Sequence, residues 1–188
     1  MIRIAIIGDI GSGKSHIAKQ FGYPVFNADE EVTKLYKKSK KCFLKLKKAL
    51  PNYITSFPVK KSELSLAVMA NQHNLNKIVK IIHPEVRLKM NNFTKKNQTK
   101  KFIILDIPLL IENKINKKKD ILIFIDAAKK DINKRLKKRG KISLLMVKKF
   151  RKLQLPVETK KKMSNFIIKN NFNNNSIKKD VKKLINFF

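Results

Sequence analysis

Tryptophan is absent from this chain, and cysteine occurs once, at Cys42. One thiol excludes an intramolecular disulfide and fits a reducing compartment; Cys42 reads as a buried or half-buried side chain rather than a catalyst. No apolar run approaches the roughly 20 residues that a membrane-spanning helix needs. The apolar stretch at Ile2–Ile7 is too short for a secretory signal and runs straight into a glycine-containing loop, so a cytoplasmic protein is expected. No His/Cys cluster has zinc-like spacing and no Ser/His/Asp order stands out. No basic sheet motif studded with aromatics points to RNA readout. No internal repeat and no linker interrupts the 188 residues, a length that makes one domain with a real core.

Acidic residues are scarce as well, 13 against 45 Lys and Arg, which leaves a formal net charge of +32. Such a charge is the electrostatic footprint of nucleic-acid binding when it is gathered on one face. Here lysine is spread along the whole chain, and asparagine is abundant, as in Asn170-Asn171-Phe172-Asn173-Asn174-Asn175. An excess of Lys, Asn and Ile is what an AT-rich genome imposes on a solvated surface, so no specific nucleic-acid partner is expected. Arginine is rare: Arg3, Arg87, Arg135, Arg139 and Arg151. Each arginine therefore carries more information than usual, because its rigid bidentate fork is hard to replace with lysine where phosphates are gripped.

Against these absences stands Gly8-Asp9-Ile10-Gly11-Ser12-Gly13-Lys14-Ser15, which fits G-x-x-x-x-G-K-[ST] directly after the apolar run. Glycines let the backbone wrap around a phosphate with its N–H groups turned inward. Lys14 brings a mobile positive charge to the β/γ-phosphates and the Ser15 hydroxyl can ligate Mg²⁺. A helix over 15–21 adds a favourable N-terminal dipole. Nucleoside triphosphate binding is the expectation.

Further elements follow in alternation. A short strand is expected at Tyr23–Phe26, then helices over the Lys-rich stretch carrying Leu35, Phe43, Leu44, Leu46 and Leu50. Ser62 reads as a helix N-cap. His83-Pro84 reads as a break, with Pro84 opening a new helix through Met90. Phe102–Leu105 and Ile121–Ile125 are continuous apolar runs of the kind found in parallel strands covered on both faces. Helices are expected over 131–139 and 143–155, a last strand at Phe166–Ile168, and an amphipathic closing helix bearing Val181, Leu184, Ile185 and Phe188. The pattern implies an α/β, three-layer αβα fold with a parallel sheet, with ligands at the carboxyl ends of the strands.

Several side chains fall at that edge. Asp29, after the second strand, suits either a group that orients an acceptor hydroxyl in phosphoryl transfer or a helix N-cap. Asp106 ends a buried strand where a Mg²⁺-holding carboxylate stands in phosphate-loop enzymes, and Asp126 repeats that placement or serves as a cap. Arg135 and Arg139 lie four apart, on a phosphate-gripping face or a solvated one. His83 is a general base or a structural histidine at the break.

Taken together these residues resemble the dephospho-CoA kinase family over nearly the whole chain. The phosphate loop is shared by many kinases; Pro108-Leu109-Leu110-Ile111-Glu112-Asn113 and Gln154-Leu155-Pro156 through Lys160, ending at Ile168-Lys169-Asn170, are much more specific. The resemblance implies ATP-dependent phosphorylation of the ribose 3′-hydroxyl of dephospho-CoA, with ATP and Mg²⁺. It implies a core of about 1–29 and 91–188, a helical acceptor-binding insertion of about 30–90, and a lid near 135–160. Gly8, Gly11, Ser12, Gly13, Lys14, Ser15 and Asn170 would serve ATP, Ser15 and Asp106 the metal. Asp29, His83, Arg87, Pro108, Leu109 and Glu112 would serve the acceptor, with Asp29, Lys14, Arg135 and Arg139 carrying the transfer. Asn27, Asp9, Thr33, Gly140, Asn165 and Phe172 depart from the family pattern. A nucleoside or nucleoside-monophosphate kinase and a nucleic-acid-stimulated NTPase remain the competing readings.

Overall fold

The computed structural model describes residues 1–139, 147 and 150–188, with nothing described of the Arg139 side chain. In chain order the elements are β1 (Ile2–Gly8), α1 (Lys14–Gln20), β2 (Val25–Asn27), α2 (Ala28–Lys38), α3 (Lys40–Ala49), α4 (Lys61–Ala70), α5 (Gln72–Lys96), β3 (Phe102–Asp106), β4 (Ile121–Asp126), α6 (Lys129–Arg139), α7 (Val157–Lys162), β5 (Phe166–Lys169) and α8 (Asn174–Phe187). Of the helix expected over 143–155, residues 147 and 150–152 are helical. Positions 143–146, 148 and 149, and Gly140, lie outside the described residues. Among the described residues no helix is long and apolar enough to cross a membrane.

The chain divides into two compact units, Met1–Asn27 with Asn97–Phe188, and Ala28–Lys96. The first holds a five-stranded sheet in the order β2-β3-β1-β4-β5, parallel throughout. Phe102–Asp106 is buried at every position, because helices cover both faces and no alternation is needed. On one face Ile4, Ile6, Phe102, Ile104, Ile123 and Ile125 pack with Ile17, Ala18 and Phe21 of α1 and Ile177 and Val181 of α8. On the other, α7 lies against β1, and Lys161 sits 5.8 Å from the Phe124 ring centroid. The second strand runs over Val25–Asn27 rather than Tyr23–Phe26. Its register pairs Asn27 with Asp106, so its length is set by β3 rather than by local composition.

Near the start of β1, Arg3 is buried and donates to Asp120 at 2.8 Å. Asp120 also accepts the Lys117 N–H at 2.8 Å, which fixes the turn into β4. Among the described residues the Arg3 Nε is buried with no hydrogen-bond partner, and Asp120 balances this charge.

The Ala28–Lys96 unit is helical around its own core of Leu35, Cys42, Leu46, Leu50, Ile54, Val59, Ala67, Ile78 and Ile82. Two expectations fail here. Pro84 does not open a new helix; it lies inside the 25-residue α5. A helix-interior proline costs about 3 kcal/mol and leaves the Lys80 carbonyl without its N–H. Lys80 is exposed, so water can take that carbonyl. Burial of Ile78 and Ile82 before the proline and Met90 after it holds the two halves in line. Ser62 is likewise not the N-cap: α4 starts at Lys61, and the carboxylate of Glu63 closes its first turn. Glu63 accepts from the Lys60 N–H at 3.3 Å, from the N–H and hydroxyl of Thr55 at 3.2 and 2.8 Å, and from those of Ser56 at 3.1 and 3.0 Å. Burial pushes this carboxyl upward, but the donors from Thr55, Ser56 and Lys60 outweigh it and hold the pKa at about 2.

Two measurements check these anchors. Asp120→Ala leaves Arg3 buried and uncompensated, and should lower the unfolding free energy in urea by about 3–5 kcal/mol; a loss below about 1 kcal/mol would contradict the role assigned to the pair. Glu63 has a folded pKa below its unfolded one, so its stabilisation is full above the unfolded value and is lost as pH falls toward the folded one. The gap in thermal stability between the wild type and Glu63→Gln should therefore narrow as pH drops from about 5 toward about 3. A constant gap would show that the charge is not what stabilises α4.

Candidate active site

β1 delivers the loop of residues 8–13 at the carboxyl edge of the sheet, between β3 and β4. Gly8 has φ 151°, and a Cβ there would lie 2.9 Å from the Ile125 carbonyl oxygen and from Ser12 Oγ. Gly13 has φ 96°, and a Cβ there would collide with the side-chain amide of Asn170. Neither position can hold another residue without moving the loop. The Lys14 ammonium folds back on the loop, donating to the carbonyls of Asp9 at 2.9 Å and Gly8 at 3.3 Å. This places its charge at the loop mouth. Ser12 is fully buried, its N–H bonded to the Asp9 carbonyl at 3.2 Å, while its hydroxyl lacks a partner among the described residues. Ser15 is exposed in the first turn of α1.

Asn170 stands just past β5 and is buried. Its Nδ2 donates to the Ser12 carbonyl at 2.7 Å, its Oδ1 accepts from the Phe172 N–H at 2.8 Å, and its own N–H reaches the Asp126 carbonyl at 2.6 Å. Its amide therefore pins the loop. Phe172 adopts φ 62°, unusual for a bulky residue, and its ring centroid lies 4.3 Å from the Arg135 guanidinium carbon. That stack orients Arg135, whose helix also packs Ile132 and Leu136 around the position of Gly11.

Asp106 ends β3, is buried, and accepts from Asn27 Nδ2 at 2.6 Å. An aspartate at position 27 would face this carboxylate with a like charge; the amide supplies a donor instead. Asp126 pairs with Lys161 at 3.2 Å. Gly8, Lys14, Pro108, Leu109, Glu112 and Lys160 line one recess beside the loop, with Ile7, Ile107, Leu110 and Gln154 completing it. Leu109 is left-handed at φ 56°, a conformation that costs energy and clusters at working sites. Glu112 accepts the Leu155 N–H at 2.9 Å and lies 3.7 Å from Lys160, which donates to Gln154 at 3.1 Å. Lys160 is 2% exposed. Burial pulls its pKa down, while Glu112 and Asp9 act to raise it.

Asp29, His83 and Arg87 belong to the helical unit. Asp29 is exposed in the first turn of α2, and the Thr33 hydroxyl donates to its carbonyl at 2.8 Å. His83 and Arg87 lie one turn apart on α5, both exposed. Loss of hydration and then the Arg87 charge lower the His83 pKa from its ordinary value. The side chain of Arg139 lies outside the described residues. Lys160 and the Asp9–Arg151 ion pair were not among the expected site residues; a buried lysine in a chain of solvated lysines leaves no mark in the composition.

Comparison with known proteins identifies the family and the fold. The family model for dephospho-CoA kinase matches residues 2–177. A dephospho-CoA kinase of Wolbachia pipientis wMel is 30% identical over 97% of this chain and 95% of its own length. One from Bartonella quintana is 34% identical over 88% of this chain and 87% of its own. A solved protein from Thermus thermophilus, 24% identical, superposes with a TM-score of 0.81 over 98% of this chain and 95% of its own, and so shares the fold. With a phosphate loop pinned by Asn170 and a Pro108–Glu112 segment meeting Lys160 beside it, over a length matched almost end to end, the chain belongs to the dephospho-CoA kinase family.

Proposed function

We propose that this protein transfers the γ-phosphoryl group of ATP to the ribose 3′-hydroxyl of dephospho-CoA, giving coenzyme A and ADP. The observation that carries the reading is the recess in which Gly8 and Lys14 of the phosphate loop meet Pro108, Leu109, Glu112 and Lys160. The loop alone serves any phosphate-loop kinase; its junction with those two segments belongs to this family. Phosphoryl transfer asks a protein mainly for positioning and charge stabilisation. Loop amides from Gly8, Gly11, Ser12 and Gly13 hold the phosphates, and Lys14 supplies the mobile charge. Asn170 serves the nucleotide through the loop it pins.

Magnesium fits the donors at hand, since it takes oxygen ligands and is usually held by one or two protein groups with phosphates and water completing its shell. Asp106 and Ser15 would hold it, and the ion would neutralise charge on the phosphates. Asp29 aligns the acceptor 3′-oxygen and accepts its proton. Arg135 and Arg139 balance charge on the transferring group; the lid expected near 135–160, which would exclude water as a competing acceptor, falls in part outside the described residues. His83, Arg87, Pro108, Leu109 and Glu112 serve the acceptor in this reading.

Asp29→Asn should bind ATP within about twofold of the wild type and lose at least about 10² in turnover; near-normal turnover would remove Asp29 from the base role. Release of ADP should require dephospho-CoA when a panel of nucleosides, nucleoside monophosphates, DNA and RNA is offered with ATP. Phosphorylation of a nucleotide but not of dephospho-CoA would replace the acceptor, and ATPase activity stimulated by DNA or RNA would replace the class.

A further inference from the structure

Asp9 places a carboxylate inside the loop assigned to a polyphosphate, where its charge opposes the ligand. In the structure both oxygens are engaged. Oδ1 accepts the Ile10 N–H at 2.6 Å and Oδ2 accepts from Arg151 Nη2 at 3.2 Å. The carbonyl of the same residue holds Lys14 at 2.9 Å, so this carboxylate belongs to the residue that seats the phosphate-gripping lysine. The Asp9 side chain is 17% exposed, which leaves its charge only partly screened. Arg151 arrives from the segment before Gln154 and, with Asp9, walls a cleft of about 370 Å³ lined also by Lys129, Asn133 and Pro156. Among the described residues its Nε is buried without a hydrogen-bond partner, and the contact with Asp9 orients the guanidinium.

We propose that Arg151 is a positioning residue for the nucleotide: by pairing with Asp9 it cancels the loop's own negative charge, so that Lys14 faces the phosphates unopposed. This rests on the triphosphate-binding reading given above. The arginine acts through Asp9 rather than by touching the phosphates, and the two residues form one functional unit in which Asp9 without Arg151 is a liability.

A double-mutant cycle separates the two modes of action. Equilibrium dissociation constants for ATP and ADP are measured by calorimetry on the wild type, R151M, D9N and D9N/R151M, with thermal melts confirming that each is folded. R151M should raise the ATP constant on the order of tenfold, and the ADP constant by less because ADP carries less charge. D9N should tighten ATP binding or leave it unchanged, and in the D9N background R151M should cost less than about twofold. The same loss from R151M in both backgrounds would overturn the proposal, as would equal losses for ATP and ADP. R151K, which keeps the charge, is the second probe: retained affinity supports the proposal, and a tenfold loss that D9N does not repair overturns it. Wild-type protein that binds neither nucleotide would overturn the loop reading and this one together; an additive cycle with intact wild-type binding would overturn this one alone.

Discussion

The parallel pairing of β1 between β3 and β4 is the constraint from which the site follows. Register sets Gly8 opposite Ile125 of β4, and the missing Cβ lets the backbone turn there against the Ile125 carbonyl. From that point the loop is shaped by what surrounds it. Ile132 and Leu136 of α6 close on it at Gly11, and Asn170, beyond β5, closes on it at Gly13. Asn170 then bonds the Ser12 carbonyl that the glycine leaves accessible. A phosphate cradle must be rigid before its ligand arrives, or binding would be weakened by the entropy of ordering it. Here that ordering is done by three elements packed against glycines.

Much of this was legible from the residues alone. The octet and the continuous apolar runs announce β1, β3 and β4 because both faces of a parallel sheet are buried, so pattern and structure coincide. The N-cap expected at Ser62 and the helix start expected at Pro84 fail for the opposite reason. Pro84 and Ser62 carry strong local preferences, and packing of Ile78, Ile82 and Met90 in one case, and the Glu63 carboxylate in the other, overrode them. Contacts such as Asp9 with Arg151 and Glu112 with Lys160 join distant segments, and no spacing rule encodes them. Asn27 reads as the loss of an acid in the sequence and as the donor to Asp106 in the fold. The roles of Asp29, His83 and Arg87 come from the family resemblance, since local composition leaves each with a structural alternative.

Scarcity of acids makes the placement of each one informative. With 13 carboxylates among 45 cationic side chains, most lysines have no acid to meet and must be solvated. Several of those present sit where a cation needs fixing: Asp120 on Arg3, Asp9 on Arg151, Glu112 near Lys160, Asp126 on Lys161. Surface pairs such as Lys34 with Glu31 contribute little. The buried Arg3–Asp120 pair matters through the penalty for breaking it. The spread positive charge adds self-repulsion that the core must offset.

The division of the chain also bears on how the protein is made. β1 is synthesised first, but its partner β3 begins at Phe102 and β4 ends at Asp126. Between them the ribosome must deliver residues 28–96, whose hydrophobic core is their own. Condensation of that segment shortens the span over which β1 and β3 have to find each other and so reduces the entropy lost on closing it. Until β3 emerges β1 has no strand to pair with, and until β4 follows its other edge stays open, the condition under which nascent chains aggregate. One of the most deeply buried strands of the finished molecule is thus the one that waits longest in the open.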